Sequence, residues 1–319
     1  MPNVLIPDNV DRKAIDLLGE YDALTVNAPG KLSQEELIAQ VGDAEALIIR
    51  SGVKITPEVF AAAPNLKAIA RAGVGVDNID LDAATEHGVK VMNTPGGNTI
   101  STAEHTFGLM LALARHIPQG NQSLKEGRWD RKKYVGVELK GKTLGLLGFG
   151  RIGQAVATRA QAFEMEVIAY DPFLGDDVFT GLSVERVDLD ELYARSDFIT
   201  LHAPATEETN GMINADSLAQ MKDGVRIVNA ARGVLINDVD LAAAIESGKV
   251  AGAALDVYAE EPPAADHPLL GFDNVIDTPH LAASTTDAQI TVAVEAAELI
   301  ADALLNGNYQ NVVNKAVIA

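Results

Sequence analysis

The 319-residue chain contains no cysteine. Disulfides, thiolate-bound zinc and cysteine nucleophiles are thereby excluded. Basic residues are also scarce: 25 Lys and Arg stand against 45 Asp and Glu, a formal net charge of −20. That balance argues against a nucleic-acid partner, which needs clustered cations to neutralise phosphates, and against docking on anionic lipid. It reads as a well-solvated surface, with adaptation to high salt as the sharper alternative. An anionic small molecule stays open, because screening acts over about 8 Å at physiological salt; such a ligand needs local basic residues. No apolar run reaches the length of a membrane span. The opening MPNVLIPD has neither the charged nor the apolar region of a secretory leader. His105 and His116 have no paired His or acid at metal-binding spacing, so both read as structural and no metal site is expected. The expectation is a cytoplasmic protein.

What is present is a core-forming chain, 47% hydrophobic, long enough for one large domain or two ordinary ones. Its most informative stretch is Gly141 to Asp171. An apolar run, Thr143 to Leu147, has the length of a buried parallel strand. It leads into Gly148-Phe149-Gly150-Arg151-Ile152-Gly153, a G-x-G-x-x-G, then a helical run from Gln154 to Phe163 and a second apolar run, Glu166 to Tyr170. Gly148 permits the tight turn, Gly150 lets the backbone approach a pyrophosphate, and Gly153 lets the helix lie close on the strand. The helix N-terminus offers free N–H groups and a positive dipole end to phosphates. Asp171 lies 171 − 148 = 23 residues beyond the first glycine, where a carboxylate can accept both ribose hydroxyls. An acid there repels a 2′-phosphate, so NAD is expected rather than NADP.

Residues 1 to 98 read as a separate α/β unit. Strands are expected at Asn3–Ile6, Leu24–Val26, Ala46–Ile49, Leu66–Ala70 and Val89–Met92, with helices at Val10–Leu18 and after the capping-box pair Ser33 and Glu36. The loop from Arg71 to Asp77, RAGVGVD, follows a strand and is either a cradle of N–H groups for a carboxylate or a plain turn. The stretch Thr94 to Asn98, TPGGN, punctuates the chain, and a long helix is expected from Ser101 to Arg115. The segment Gly127 to Val137 is polar and basic around the only tryptophan, Trp129; it covers surface or anchors a partner subunit. Beyond Gly141, strands at Phe198–His202, Val225–Asn229, Gly252–Val257 and Val275–Asp277 alternate with helices at Asp216–Met221 and Asp238–Glu246, as in a doubly wound sheet. A long Ala-rich helix, Thr286 to Leu305, follows.

Ligands of an open parallel sheet sit beyond the carboxyl ends of its strands. Three ionisable residues occupy such positions: Arg232, Glu261 and His280. Singly, each has a dull alternative, as a helix cap, a solvated loop acid and a satisfied loop histidine. Together, beside a dinucleotide fold, they form a coherent site for oxidising a 2-hydroxy acid. A neutral His can take the hydroxyl proton near pH 7, since its unperturbed pKa is about 6.5. A carboxylate fixes the ring and stabilises the imidazolium. Arginine can hold the substrate carboxylate through its planar fork.

At this point the chain resembles the D-isomer-specific 2-hydroxy-acid dehydrogenase family. The likeness rests on Ile49-Arg50-Ser51-Gly52, the run Arg71 to Thr106, GFGRIG, NAARG (229–233), ALDVYAEEPP (254–263) and TPHLAAST (278–285). It implies that the family's Arg–Glu–His set falls on Arg232, Glu261 and His280. It further implies that Arg151, Ile152, Asp171, Ala203, Ala230, Asp256 and Ala283 line an NAD site, with the glycines of the turn. Val74, Gly75 and Asn98 would receive the substrate carboxylate side. Arg50 and Arg71, with Arg131 from a neighbouring subunit, are the candidates for holding a phosphate. The implied fold is a Rossmann-type doubly wound parallel sheet, residues 99–284, inserted into a flavodoxin-like α/β substrate domain of 1–98 plus 285–319, joined by two helices that allow closure. A homodimer is implied, with contacts around Trp129. The implied activity is NAD-dependent oxidation of D-3-phosphoglycerate to 3-phosphohydroxypyruvate, the first step of the phosphorylated route of serine biosynthesis. Glyoxylate or hydroxypyruvate reduction is the runner-up, and a non-catalytic NAD-sensing protein the reading from another class. Two departures stand out. Leu281-Ala282-Ala283 has alanine where glycine is common in the middle, and the chain ends soon after Asn311-Val312-Val313-Asn314, where longer members carry regulatory domains for serine. The expectation is no serine feedback through such a domain.

Overall fold

The computed structural model describes residues 1–318. The chain divides into two compact units, Met1–Asn98 with Ser284–Ala319 and Thr99–Ala283. No helix among the described residues is long and apolar enough to cross a membrane.

The first unit is a five-stranded parallel sheet. Its strands are β1 (Asn3–Leu5), β2 (Thr25–Asn27), β3 (Ala46–Ile49), β4 (Ala68–Arg71) and β5 (Lys90–Asn93), in the order β2-β1-β3-β4-β5. This is the flavodoxin-like order, whose switch point lies between β1 and β3. The central strand β3 reads ALII and is buried at every position, as a strand covered on both faces must be. One face packs on the C-terminal helix Thr286–Asn306, where Ala293, Ala296 and Ala297 let the helix approach Val4, Ile48 and Ala70. Leu37, Val59, Phe60 and Ala84 cover the other face.

The second unit is a seven-stranded parallel sheet. Its strands are β6 (Thr143–Leu147), β7 (Glu166–Tyr170), β8 (Glu185–Arg186), β9 (Phe198–Leu201), β10 (Val225–Asn229), β11 (Val250–Leu255) and β12 (Val275–Asp277). The order β12-β11-β10-β9-β6-β7-β8 is the Rossmann-type doubly wound arrangement expected, with its switch point between β6 and β9. Its two faces are covered by separate apolar clusters, one around Ile199, Ile227 and Leu241, the other around Met110, Phe149 and Val156.

Several boundaries differ from the sequence expectation for local reasons. The first helix runs Arg12–Gly19, because Asp11 accepts the N–H of Lys13 as its cap and leaves Val10 outside. The helix after the glycine turn is Arg151–Ala162, starting three residues early, directly at its cap Gly150. Strand β11 stops at Leu255, opposite Asn229, where its neighbour β10 also ends. A helix at Ile117–Lys125 and the two-residue strand β8 were not foreseen. The first contains Pro118 and Gly120, and both residues of the second are exposed, so neither has the apolar period that marks an element.

Candidate active site

The glycine turn connects β6 to the helix Arg151–Ala162, and close approach dictates two of its glycines. Gly148 has φ 96°, and a Cβ there would stand 2.8 Å from the carbonyl carbon of His202 at the end of β9. A Cβ on Gly153 would stand 2.4 Å from the carbonyl oxygen of Gly148. Gly150 is different, for nothing lies within 4 Å of its missing Cβ. It caps the helix without a side-chain hydrogen bond, whereas Ser33, Asp188, Asn237 and Thr285 each close their own helix with one. Free N–H groups at an open approach are what a pyrophosphate requires. Asp171, after β7, braces the turn: its Oδ2 accepts the N–H of Phe149 at 2.9 Å and its Oδ1 that of Phe173 at 3.0 Å. Arg151 is exposed, Ile152 and Ala203 are half-buried, and Ala230 is buried at the end of β10.

His202 was not singled out from the sequence. Its Nε2 lies 3.1 Å from Thr200 Oγ1, and burial pushes its pKa down to about 4. A neutral imidazole therefore lies beneath the glycine turn at neutral pH.

Strands β10, β11 and β12 are adjacent and parallel, so the loops leaving their carboxyl ends are neighbours. Arg232 lies in a turn that Asn229 organises: its Oδ1 accepts the N–H of Ala231 at 3.0 Å and its Nδ2 donates to the carbonyl of Arg232 at 2.8 Å. Gly233 lets that turn press on the next loop, since a Cβ there would stand 1.9 Å from the carbonyl carbon of Tyr258. The following loop carries Glu261, whose Oε1 accepts the N–H of Tyr258 at 3.2 Å. Glu261 Oε2 lies 2.8 Å from Nδ1 of His280. A carboxylate only accepts, so Nδ1 carries the proton and Nε2 is the free, basic nitrogen. The imidazole is 50% exposed, open to a ligand.

His280 itself has a left-handed backbone, φ 52°, a conformation that costs energy in a residue with a side chain. Asp256 holds it there. The carbonyl of Asp256 accepts the N–H of His280 at 2.9 Å, and its carboxylate accepts the N–H groups of Leu281 and Ala282, both at 2.8 Å. Thr278 Oγ1 donates to it at 2.6 Å and His105 Nε2 lies at 3.0 Å. Burial pushes the pKa of Asp256 up, but the bonds from His105, Thr278 and the two amides outweigh it and hold the carboxyl below its ordinary range. The sequence led us to expect Asp256 in the cofactor lining. The structure places its side chain at 0% exposure behind the His280 loop, with both oxygens occupied. His105, read from the sequence as structural, finds its partner in an acid 151 residues away. Ala282 is buried and lacks the left-handed backbone of His280, so a methyl group fits where glycine is common. Ala283 is half-buried.

In the first unit, the residues expected on the substrate side follow β3, β4 and β5. Arg71 lays its guanidinium against Gly73, where a Cβ would stand 1.5 Å from Nη1. Val74 offers its carbonyl to Asn93 Nδ2 at 2.7 Å, and Val74, Gly75 and Asn98 are half-buried. Arg50 is half-buried. Arg131 belongs to the second unit and is exposed beside Trp129, which is 78% exposed.

Residues 107–282 match the profile described as "D-isomer specific 2-hydroxyacid dehydrogenase, NAD binding domain". The chain is 51% identical over 311 residues to the D-3-phosphoglycerate dehydrogenase of Archaeoglobus fulgidus, covering 98% of this chain and 59% of that protein. It thus spans about three fifths of the length of such curated relatives. Among solved structures, the TT0316 protein of Thermus thermophilus superposes with a TM-score of 0.88 at 37% identity, covering 98% of this chain and 99% of that one. A glyoxylate reductase from Paecilomyes thermophila superposes with a TM-score of 0.89 at 32% identity, covering 98% of both chains.

Proposed function

The chain belongs to the D-isomer specific 2-hydroxyacid dehydrogenase family, and from that premise we propose that it is an NAD-dependent enzyme oxidising D-3-phosphoglycerate to 3-phosphohydroxypyruvate. The observation that carries the chemistry is the 2.8 Å contact between His280 Nδ1 and Glu261 Oε2 on a half-exposed imidazole. In this reading the second unit is the dinucleotide-binding domain and the first the substrate-binding domain. The likeness to D-3-phosphoglycerate dehydrogenase across 98% of the chain supports the phosphorylated substrate.

The open, uncapped helix start at Gly150 and the carboxylate of Asp171 fit a dinucleotide without a 2′-phosphate. Gly148, Gly150, Arg151, Ile152, Gly153, Asp171, Ala203, Ala230 and Ala283 would hold it. When bound, NAD supplies the acceptor for the C2 hydrogen as hydride. His280 Nε2 takes the proton of the C2 hydroxyl, an assistance worth roughly 10²–10⁴-fold. Glu261 keeps the ring in the required tautomer and stabilises the positive charge it acquires. Arg232 holds the substrate carboxylate and favours charge on the C2 oxygen. Val74, Gly75 and Asn98 meet the carboxylate side, and Arg50 and Arg71 take the phosphate. The exposed segment around Trp129 becomes a homodimer contact that brings Arg131 to the partner's substrate. Such an enzyme works in the cytoplasm, where the nucleotide and the phosphorylated acid are both at hand.

A second reading, reduction of glyoxylate or hydroxypyruvate, is favoured by the glyoxylate reductase likeness and uses the same three side chains. NADH formation from D-3-phosphoglycerate and from D-glycerate, run beside NADH oxidation by glyoxylate and hydroxypyruvate, decides between them. A kcat/KM at least about 100-fold higher for the phosphorylated acid supports the proposal. Faster turnover of unphosphorylated acids overturns it, and NAD binding without turnover of any of them points to a binding protein.

A further inference from the structure

Asp8 follows β1 at the switch point of the first sheet, and it is a buried acid, 4% exposed. Its Oδ2 accepts two backbone N–H groups of the loop after β3, Arg50 at 2.8 Å and Gly52 at 2.9 Å. Its Oδ1 accepts the N–H of Asn9 at 2.8 Å. From the other side, Asn78 Nδ2 donates to the carbonyl of Arg50 at 2.7 Å and to that of Val53 at 2.8 Å. Both peptide groups that flank the Cα of Arg50 are thereby tied, one to an acid and one to an amide. Gly52 makes the approach possible, since a Cβ there would stand 2.3 Å from Asp8 Oδ1. The Arg50 guanidinium has no hydrogen bond or ion pair among the described residues.

Burying a carboxylate costs several kcal/mol unless hydrogen bonds replace its water. Here three amides do so, and with them occupying the carboxylate, Asp8 does not draw the guanidinium of Arg50 onto itself. The result is an arginine whose backbone is fixed and whose charge is available.

We propose that Asp8 and Asn78 are positioning residues that aim Arg50 at the phosphate of the substrate. The inference rests on the proposed role of Arg50 as a phosphate ligand. Fixing the start of a long side chain lowers the entropy lost when its end is bound, so loosening the clamp should weaken substrate binding and leave the chemistry alone.

The test is steady-state NADH formation by Asp8→Asn, Asn78→Ala and Gly52→Ala, each alone and combined with Arg50→Ala, with a melting curve for every variant. Gly52→Ala keeps both clamping side chains and only displaces the carboxylate, so it serves where Asp8→Asn folds poorly. Each single change is expected to raise KM for D-3-phosphoglycerate by up to about tenfold, the order of the entropy cost of immobilising one long side chain. KM for NAD and kcat should stay within about twofold of the parent, and in the Arg50→Ala background each change should add less than about twofold. An unchanged KM in folded variants overturns the positioning role. So does a tenfold rise that persists when Arg50 is absent, which would mark a general loosening of the sheet edge. If Arg50→Ala alone leaves KM unchanged, the phosphate role of Arg50 is what fails.

Discussion

Gly233 and Tyr258 approach so closely that one methyl group on the first would stand 1.9 Å from the carbonyl carbon of the second. The obstruction is backbone on both sides, and neither loop can yield without moving its neighbours, Arg232 and Glu261. Gly233→Ala is therefore expected to destabilise the fold by about 1–3 kcal/mol and to lower kcat/KM by about 100-fold through misplacement. Denaturant titration and initial rates check both; a fully active variant would mean that the two loops are not held by this contact.

Removing the proposed base, His280, should separate binding from turnover. His280→Ala is expected to lower kcat by about 10²–10⁴-fold, with the NAD dissociation constant, read by nucleotide fluorescence, unchanged. Glu261→Gln keeps an acceptor for Nδ1–H but withdraws the charge that stabilises the imidazolium. Its loss in kcat should be smaller, about tenfold to a hundredfold. A Gln variant as slow as the Ala variant would assign Glu261 a direct part in the chemistry.

Asp171 ties the glycine turn to the end of β7 through the N–H of Phe149 and places a negative charge where ribose hydroxyls are expected. Asp171→Ala should raise KM for NAD about tenfold and shift the NADP/NAD preference toward NADP, because the repulsion of a 2′-phosphate is gone. Rates with both nucleotides measure it. An unchanged preference would remove Asp171 from the cofactor site.

The half-buried His202, whose pKa desolvation lowers to about 4, predicts an acid-sensitive fold. In the unfolded chain it gains a proton below its ordinary pKa of about 6.5, but in the fold only near pH 4. The unfolded state therefore binds more protons in this window, and stability falls as pH falls from about 6.5 to about 4, with nothing lost above about 7. Between pH 7 and pH 5 the cost is about 2 kcal/mol. Urea titrations at the two pH values should differ by less in His202→Asn; an equal difference would place the acid sensitivity elsewhere.

Features close together in the chain were legible from sequence. The glycine turn and Asp171 form one continuous strand–turn–helix–strand segment, and Arg232, Glu261 and His280 each follow an apolar run that ends a strand. What escaped notice depends on pairs that only the folded sheet brings together. Asp8 meets Arg50 and Gly52 across 42 and 44 residues, and His105 meets Asp256 across 151. No local period encodes such pairs, because the carboxylate answers to backbone N–H groups, which every residue but proline carries. Asp256 was expected to line the cofactor site on resemblance alone; its burial beneath residues 281 and 282 is a property of the parallel β11–β12 edge.

The first unit is built from both ends of the chain, and this bears on how the protein is made. Until Thr286–Asn306 has left the ribosome, the face of the N-terminal sheet formed by Val4, Ile48, Ala70 and Met92 lacks its cover. The contiguous middle segment, Thr99–Ala283, meets no such delay. Synthesis thus leaves an apolar sheet surface waiting until residues 286–306 have been made, the kind of surface that chaperones shield.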